Sequence, residues 1–217
     1  MFLILNKIIK MEKILNIITL GDAGVGKTSI INRIKNNTFQ ESYEVTISVD
    51  YFFIKRKYEK KNLIMNLTFR DTAGQEIFKT LPQQYIHDCH IVLLVFADIE
   101  TLNKLKNRWL NYYKENANID NSRFILVGNK SDLFGNNRDE ILNKGQEFAE
   151  EIDAHFITCS AKSADNMDNL ERFIITEAKR FIDDEEKYNN VLKKNKAFNL
   201  KKNKNNNINK ETSECKC

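Results

Sequence analysis

The sequence predicts an α/β fold: a six-stranded, mostly parallel sheet with one antiparallel edge strand and helices on both faces. Three observations predict it. Four short apolar runs, residues 14–20, 91–96, 124–127 and 156–158, each precede a turn and then a polar, helix-like stretch. Buried runs that alternate with helices signal parallel strands joined by crossovers. Residues 63–70 instead alternate with a period of two, which marks a strand with one covered face. A glycine-rich loop, finally, joins the first apolar run to the first helical stretch.

The elements follow in order. After strand 14–20 comes a helix over 28–36. Residues 48–57 form a strand that turns through Tyr58-Glu59-Lys60-Lys61-Asn62 into strand 63–70, giving the antiparallel edge. In that second strand Leu63, Met65, Leu67 and Phe69 share one face. Arg70 falls on the other, which predicts that it is exposed. Beyond strand 91–96, residues 102–115 carry Leu102, Leu105, Trp109 and Tyr113 at helical spacing. Strand 124–127 precedes a helix over 139–152 with Ile141, Phe148 and Ile152 inward. Strand 156–158 precedes a last helix over 166–182, striped by Met167, Leu170, Phe173, Ile174, Ala178 and Phe181.

A chain of 217 residues suffices for one domain with a full core. Its net charge of +4 is too small to imply a nucleic-acid partner. Cys89 and Cys159 lie in apolar runs and read as core residues, so no disulfide framework is expected and a reducing compartment fits. No run of about 18 apolar residues predicts a membrane-spanning helix. Residues 1–10 are apolar but interrupted and lack a signal-peptide cleavage site; they read as an N-terminal extension, or Met11 is the true start. Residues 11–182 form the globular domain. From Lys187 onward nine Lys face two Glu, with nine Asn interspersed. Such a segment buries too little surface to offset its ordering entropy, so 183–217 reads as a disordered tail.

Gly21-Asp22-Ala23-Gly24-Val25-Gly26-Lys27-Thr28 fits G-x-x-x-x-G-K-[ST] between a strand and a helix, the context that motif requires. Glycines let the backbone wrap a phosphate, and the N–H groups of residues 23–29, Ala23 to Ser29, face the anion. Lys27 supplies positive charge, and the Thr28 hydroxyl can ligate Mg²⁺. Asp71-Thr72-Ala73-Gly74-Gln75-Glu76 closes the next long strand. Asp71 there can hold a Mg²⁺ water, and Gly74 can offer its N–H to a terminal phosphate.

Two further loops lie at strand C-terminal ends, the ligand crevice of an open α/β sheet. In Asn129-Lys130-Ser131-Asp132, the Asp132 carboxylate can accept from the N1–H and exocyclic amine of guanine; adenine presents no such donor pair. In Ser160-Ala161-Lys162 a backbone N–H can meet guanine O6, and the Lys162 stem can cover the ring.

With these motifs the chain resembles the Rab family of Ras-superfamily small GTPases over about residues 11–182. The resemblance implies a P-loop GTPase fold that binds GTP and GDP with Mg²⁺. Hydrolysis would be slow, with Lys27 and Gln75 catalytic and Gln75 orienting the attacking water. Residues 42–51, Ser42-Tyr43-Glu44-Val45-Thr46-Ile47-Ser48-Val49-Asp50-Tyr51, resemble the Rab effector segment. Thr46 would then be the second Mg²⁺ ligand, and Phe39 would pack beside the guanine. Tyr43, Ile47, Tyr51, Arg70 and Tyr85 would form the effector and switch surface. The ending Cys215-Lys216-Cys217 is similar to the C-x-C on which Rab proteins receive two geranylgeranyl groups; two lipids anchor stably where one does not.

The implied role is a switch in vesicle trafficking on the cytoplasmic face of an intracellular membrane, cycling with the cytosol. Its implied partners are an exchange factor, a GTPase-activating protein, a GDP-dissociation inhibitor or escort protein, and effectors. Some positions depart from the family: Arg70 replaces a usual Trp, Ser48 a Gly, Ile77 an Arg, and His87-Asp88-Cys89 stands where Arg-Gly-Ala is common. These cluster in the switch regions and read as specialised partner choice. A nucleotide-locked scaffold that binds partners without cycling is the alternative.

Overall fold

A computed structural model describes residues 11–41, 49–72, 84–117 and 122–211, with side chains described as far as Asn189. The chain divides into two compact units, Met1–Ala178 and Lys179–Cys217.

The first unit holds one sheet of six strands: β1 Met11–Leu20, β2 Asp50–Tyr58, β3 Leu63–Asp71, β4 Ile91–Phe96, β5 Arg123–Gly128 and β6 His155–Thr158. Their spatial order is β2-β3-β1-β4-β5-β6. Five strands run parallel, and only β2 is antiparallel, paired with β3 from Asp50 opposite Asp71 to Tyr58 opposite Leu63. The hairpin turn is a short 3₁₀ piece, Glu59–Lys61, ended by Asn62 in the left-handed region, a conformation asparagine tolerates better than most residues. The order reverses at β1, whose neighbours are β3 and β4. A loop leaving the C-terminal end of β1 therefore opens into the crevice where such sheets take ligands.

Helices cover both faces. In the first unit they are α1 Lys27–Asn36, the single turn α2 Gln84–His87, α3 Ile99–Lys104, α4 Leu110–Asn116, α5 Arg138–Glu151 and the part of α6 (Met167–Glu211) that precedes Lys179. A π-helical segment, Leu105–Trp109, joins α3 to α4. Asp98 starts α3 with a capping box: its carboxylate accepts from the Thr101 N–H at 2.8 Å, and Thr101 Oγ1 accepts from the Asp98 N–H at 3.0 Å. On one face Ile18, Leu20, Val92, Leu94 and Leu126 bury against Leu102, Leu105, Trp109, Ile141 and Phe148. The alternate residues Leu15, Ile17, Ile91, Leu93 and Val95 are buried on the opposite face.

Composition predicts that helical structure ends near Ile182, yet α6 continues to Glu211. The physical reason is local: no Gly or Pro interrupts residues 167–211, and Lys187 pairs with Asp184 one turn earlier at 3.2 Å. Among the described residues no helix is long and apolar enough to cross a membrane.

Candidate functional site

The glycine-rich loop leaves β1 with Gly21, Gly24 and Gly26 at positive φ. Two of these glycines are obligatory on contact as well. A Cβ on Gly21 would lie 2.1 Å from the Val95 carbonyl oxygen, and one on Gly26 would lie 2.3 Å from Asn129 Nδ2. Lys27 opens α1 and its ammonium turns back over the loop, donating to the carbonyls of Gly21 at 2.8 Å and Asp22 at 3.0 Å. Burial lowers its pKa to about 8, against the pull of Asp71 and Asp22. A cation short of solvent at the mouth of a curled backbone is suited to an incoming anion. Ala23 and Gly24 are exposed on the loop, Val25 is buried beneath it, and Ser29 is half-buried.

Asp71, at the end of β3, faces the same mouth and is fully buried. Its two carboxylate oxygens accept from Thr28 Oγ1 at 2.5 Å and Thr19 Oγ1 at 3.2 Å. Burial raises its pKa; the Thr28 hydrogen bond, Lys27 and Thr19 pull it back down. Thr72 Oγ1 donates to the Thr19 carbonyl at 2.6 Å, which ties β3 to β1 at this point.

The two loops beyond β5 and β6 meet through Asn129. Its Nδ2 donates to the Val25 carbonyl at 2.8 Å, and its Oδ1 accepts from the Ala161 N–H at 3.1 Å. One buried side chain thus links the loop after β1 to both later loops. Ser160 Oγ donates to Asp132 at 2.5 Å and accepts from the Ser163 N–H at 3.1 Å. Asp132 is exposed, as a carboxylate that must face a ligand would be, and Lys130 takes a left-handed φ of 60°. Lys162 is exposed and pairs with Glu41 at 3.4 Å. Phe39 is half-buried in the segment after α1. Arg33, which sequence reasoning passed over, pins this region: Nε donates to the Ala161 carbonyl at 2.9 Å and Nη2 to that of Lys162 at 3.0 Å.

The sequence model of the Ras family matches residues 16–180. Curated relatives agree. Ras-related protein RABD2a of Arabidopsis thaliana is 36% identical over 159 residues, covering 72% of this chain and 76% of its own. Ras-related protein RabC of Dictyostelium discoideum is 35% identical, covering 70% and 76%. GTP-binding protein ypt1 of Schizosaccharomyces pombe is 32% identical, covering 72% and 76%.

The chain belongs to the Rab family of the Ras superfamily of small GTPases. In this Rab-family chain the motif residues at 21–29, 71, 129–132 and 160–162, which the sequence predicts to face a nucleotide, all lie at or just after the C-terminal ends of parallel strands. Tyr43, Thr46, Ile47, Gly74 and Gln75, and with them Cys215 and Cys217, lie outside the described residues.

Arg70 corrects an expectation. The period-two alternation predicts exposure, but the side chain is only 8% exposed. Its Nη1 donates to the Tyr85 carbonyl at 2.6 Å and lies 3.4 Å from Cys89 Sγ. The cause is that β3 is an inner strand, and the stretch from α2 to β4 covers the face that simple alternation assigns to solvent. Cys89 is itself buried, as expected, and burial pushes its thiol up to about 11 despite the nearby guanidinium. Tyr51 remains 44% exposed, edge-on to Tyr85 with ring centroids 6.2 Å apart. The aromatic pair is therefore present at the surface, with Arg70 beneath it.

Proposed function

We propose that this chain binds GTP and GDP, hydrolyses GTP slowly, and acts as a membrane-anchored switch that recruits effectors in vesicle trafficking. The observation that carries the reading is the convergence of Lys27, Thr28 and Asp71 at the mouth of the glycine-rich loop, with the Asp132–Ser160 pair in the neighbouring loops.

The under-solvated Lys27 ammonium gains a counter-charge from the outer phosphates, and the loop N–H groups of residues 23–29 complete the anion cradle. Asp132 selects guanine by accepting from two donors that adenine lacks; a site built this way discriminates by about 10⁴–10⁵. The donor set fits Mg²⁺. Thr28 and Asp71 are hard oxygen donors 2.5 Å apart, and among the described residues no cluster of three or more His, Cys, Asp or Glu could cage a metal. That suits an ion held largely by water and phosphate. Thr28, Thr46 and, through water, Asp71 would hold it, and when bound it would neutralise phosphate charge. Gln75 is assigned the attacking water and Gly74 the terminal phosphate. Turnover without a partner is expected on the order of 10⁻⁴–10⁻² s⁻¹.

Segments 40–51 and 74–88 are assigned the nucleotide-dependent switch, read by effectors at Tyr43, Ile47, Tyr51 and Tyr85, with Arg70 supporting the Tyr85 segment from beneath. An exchange factor, a GTPase-activating protein and a GDP-dissociation inhibitor or escort protein are the implied regulators. Prenyl groups on Cys215 and Cys217 are assigned the membrane anchor, on the cytoplasmic face of an intracellular membrane. The test is competition on the purified chain. GDP should displace a fluorescent GDP analogue at least a thousand-fold better than ADP, and Mg²⁺ chelation should speed its release. Equal displacement by ADP would end the guanine assignment.

A further inference from the structure

Asp22 lies inside the glycine-rich loop, next to Lys27 in space. Its carbonyl accepts from Lys27 Nζ at 3.0 Å. Its carboxylate points away from the loop, to the joint between α3 and α4. Trp109 Nε1 donates to Oδ1 at 2.8 Å, and Lys104 Nζ lies 3.3 Å from Oδ2. The Asp22 side chain is 15% exposed, and Trp109 is buried. The Lys27 ammonium also lies 6.0 Å from the Trp109 ring centroid. One indole therefore addresses both the loop carboxylate and the phosphate-site cation.

The π-helical segment explains how two donors reach one carboxylate. Lys104 and Trp109 are five residues apart. In a regular α-helix such residues stand about 140° apart around the axis. Here the Leu110 N–H bonds to the Leu105 carbonyl, five residues back, in the wider turn of a π segment. That widening brings positions i and i+5 toward one side, and such segments recur at functional sites.

We infer that Trp109 and Lys104 form a brace that holds the phosphate loop through the Asp22 carboxylate and so sets the rate of nucleotide release. Trp109 and Lys104 are positioning residues. They fix residue 22, whose carbonyl seats Lys27, and Lys27 faces the phosphates. The inference rests on the nucleotide-binding reading above.

The experiment measures dissociation of N-methylanthraniloyl-GDP from the full chain in Mg²⁺, chased with excess GDP. Trp109→Phe keeps an aromatic ring and removes the N–H; Asp22→Ala removes the acceptor; Asp22→Asn keeps an oxygen for the indole. Trp109→Phe and Asp22→Ala should each speed release about ten-fold, as loss of a hydrogen bond to a charged group implies. Asp22→Asn should stay nearer the wild type, and the Trp109→Phe/Asp22→Ala pair should be no faster than Asp22→Ala alone. Trp109 is the only tryptophan, so Asp22→Ala should also shift the protein's indole emission, a signature that mere loss of stability does not give. Should Trp109→Phe fold poorly, the Asp22 variants and the emission shift decide. Release within two-fold of wild type in Asp22→Ala, with unshifted emission, overturns the brace alone. Failure of the wild type to retain the label overturns the nucleotide reading as well.

Discussion

Replacing Asn129 with aspartate changes one terminal group and almost no volume, at a site only 1% exposed. In the native chain Nδ2 donates to the Val25 carbonyl at 2.8 Å while Oδ1 accepts from the Ala161 N–H. In the variant an oxygen would face the Val25 oxygen. The lost bond leaves a buried carbonyl unsatisfied, at a cost of about 1–3 kcal/mol. An unpaired buried carboxylate adds to this, so a total of at least about 3 kcal/mol is expected. For a domain of this size that corresponds to a Tm lower by about 6–12 °C. The effect has a definite sign with pH. Burial raises the folded-state pKa of the new carboxyl above its unfolded value near 4. The penalty is therefore absent below that value, grows as pH rises toward the folded-state pKa, and is complete above it. Protonated aspartic acid can donate to the Val25 carbonyl in place of the amide, which restores the link. Paired thermal melts of wild type and Asn129→Asp from pH 4.5 to 8 measure the gap. A gap below about 1 kcal/mol at pH 8, or one that narrows as pH rises, would refute the linking role.

Three further outcomes are expected. Lys27 has a pKa of about 8 against an ordinary 10.5, so the nucleotide-free native state holds fewer protons than the unfolded chain between those values. Stability relative to Lys27→Met should therefore rise with pH across that window, by about 3 kcal/mol at most; urea unfolding at pH 7.5 and 10 checks it, and a flat difference contradicts it. Arg70→Met removes the hydrogen bond to the Tyr85 carbonyl, and amide exchange at Ile86 and His87 should rise several-fold; unchanged protection would mean that Arg70 does not hold α2. Cys215→Ser/Cys217→Ser should move the protein from membranes to the soluble fraction of cells, and a double variant that stays on membranes would remove the lipid anchor.

Strong local patterns made most of the sheet legible. Continuous apolar runs located β1, β4, β5 and β6 to within a few residues, since a strand buried on both faces needs no polar position. The hairpin was legible from the alternation in β3 and the polar 58–62 turn; β2 runs Asp50–Tyr58, and Ser48 lies outside the described residues. The motif residues of the loops after β1, β3, β5 and β6 stand out in sequence because phosphate and guanine recognition would demand particular side chains at particular loop positions, and the structure brings those loops together through Asn129 and Asp71. What escaped was set by distant parts of the chain. Arg70 obeys alternation, yet α2 and the residues that follow it cover it. Arg33 reads as a surface cation on α1 until Ala161 and Lys162, far along the chain, bring their carbonyls to it. The π turn at Leu105–Trp109 has no sequence signature, because its residues serve equally in an α-helix. Asn129 looks like a base-contacting residue in sequence; its buried amide also holds three loops together, a task visible only in the packing.

A timed guanine-nucleotide switch must cleave its own bound GTP, and single-turnover hydrolysis of GTP preloaded on the purified chain, with Gln75→Leu alongside, measures that step. Slow, Mg²⁺-dependent conversion to GDP is expected, on the order of 10⁻⁴–10⁻² s⁻¹, and Gln75→Leu should suppress it without loosening nucleotide. GTP that remains bound and uncleaved, even with Mg²⁺ and in both proteins alike, would contradict it and leave a nucleotide-locked scaffold in its place.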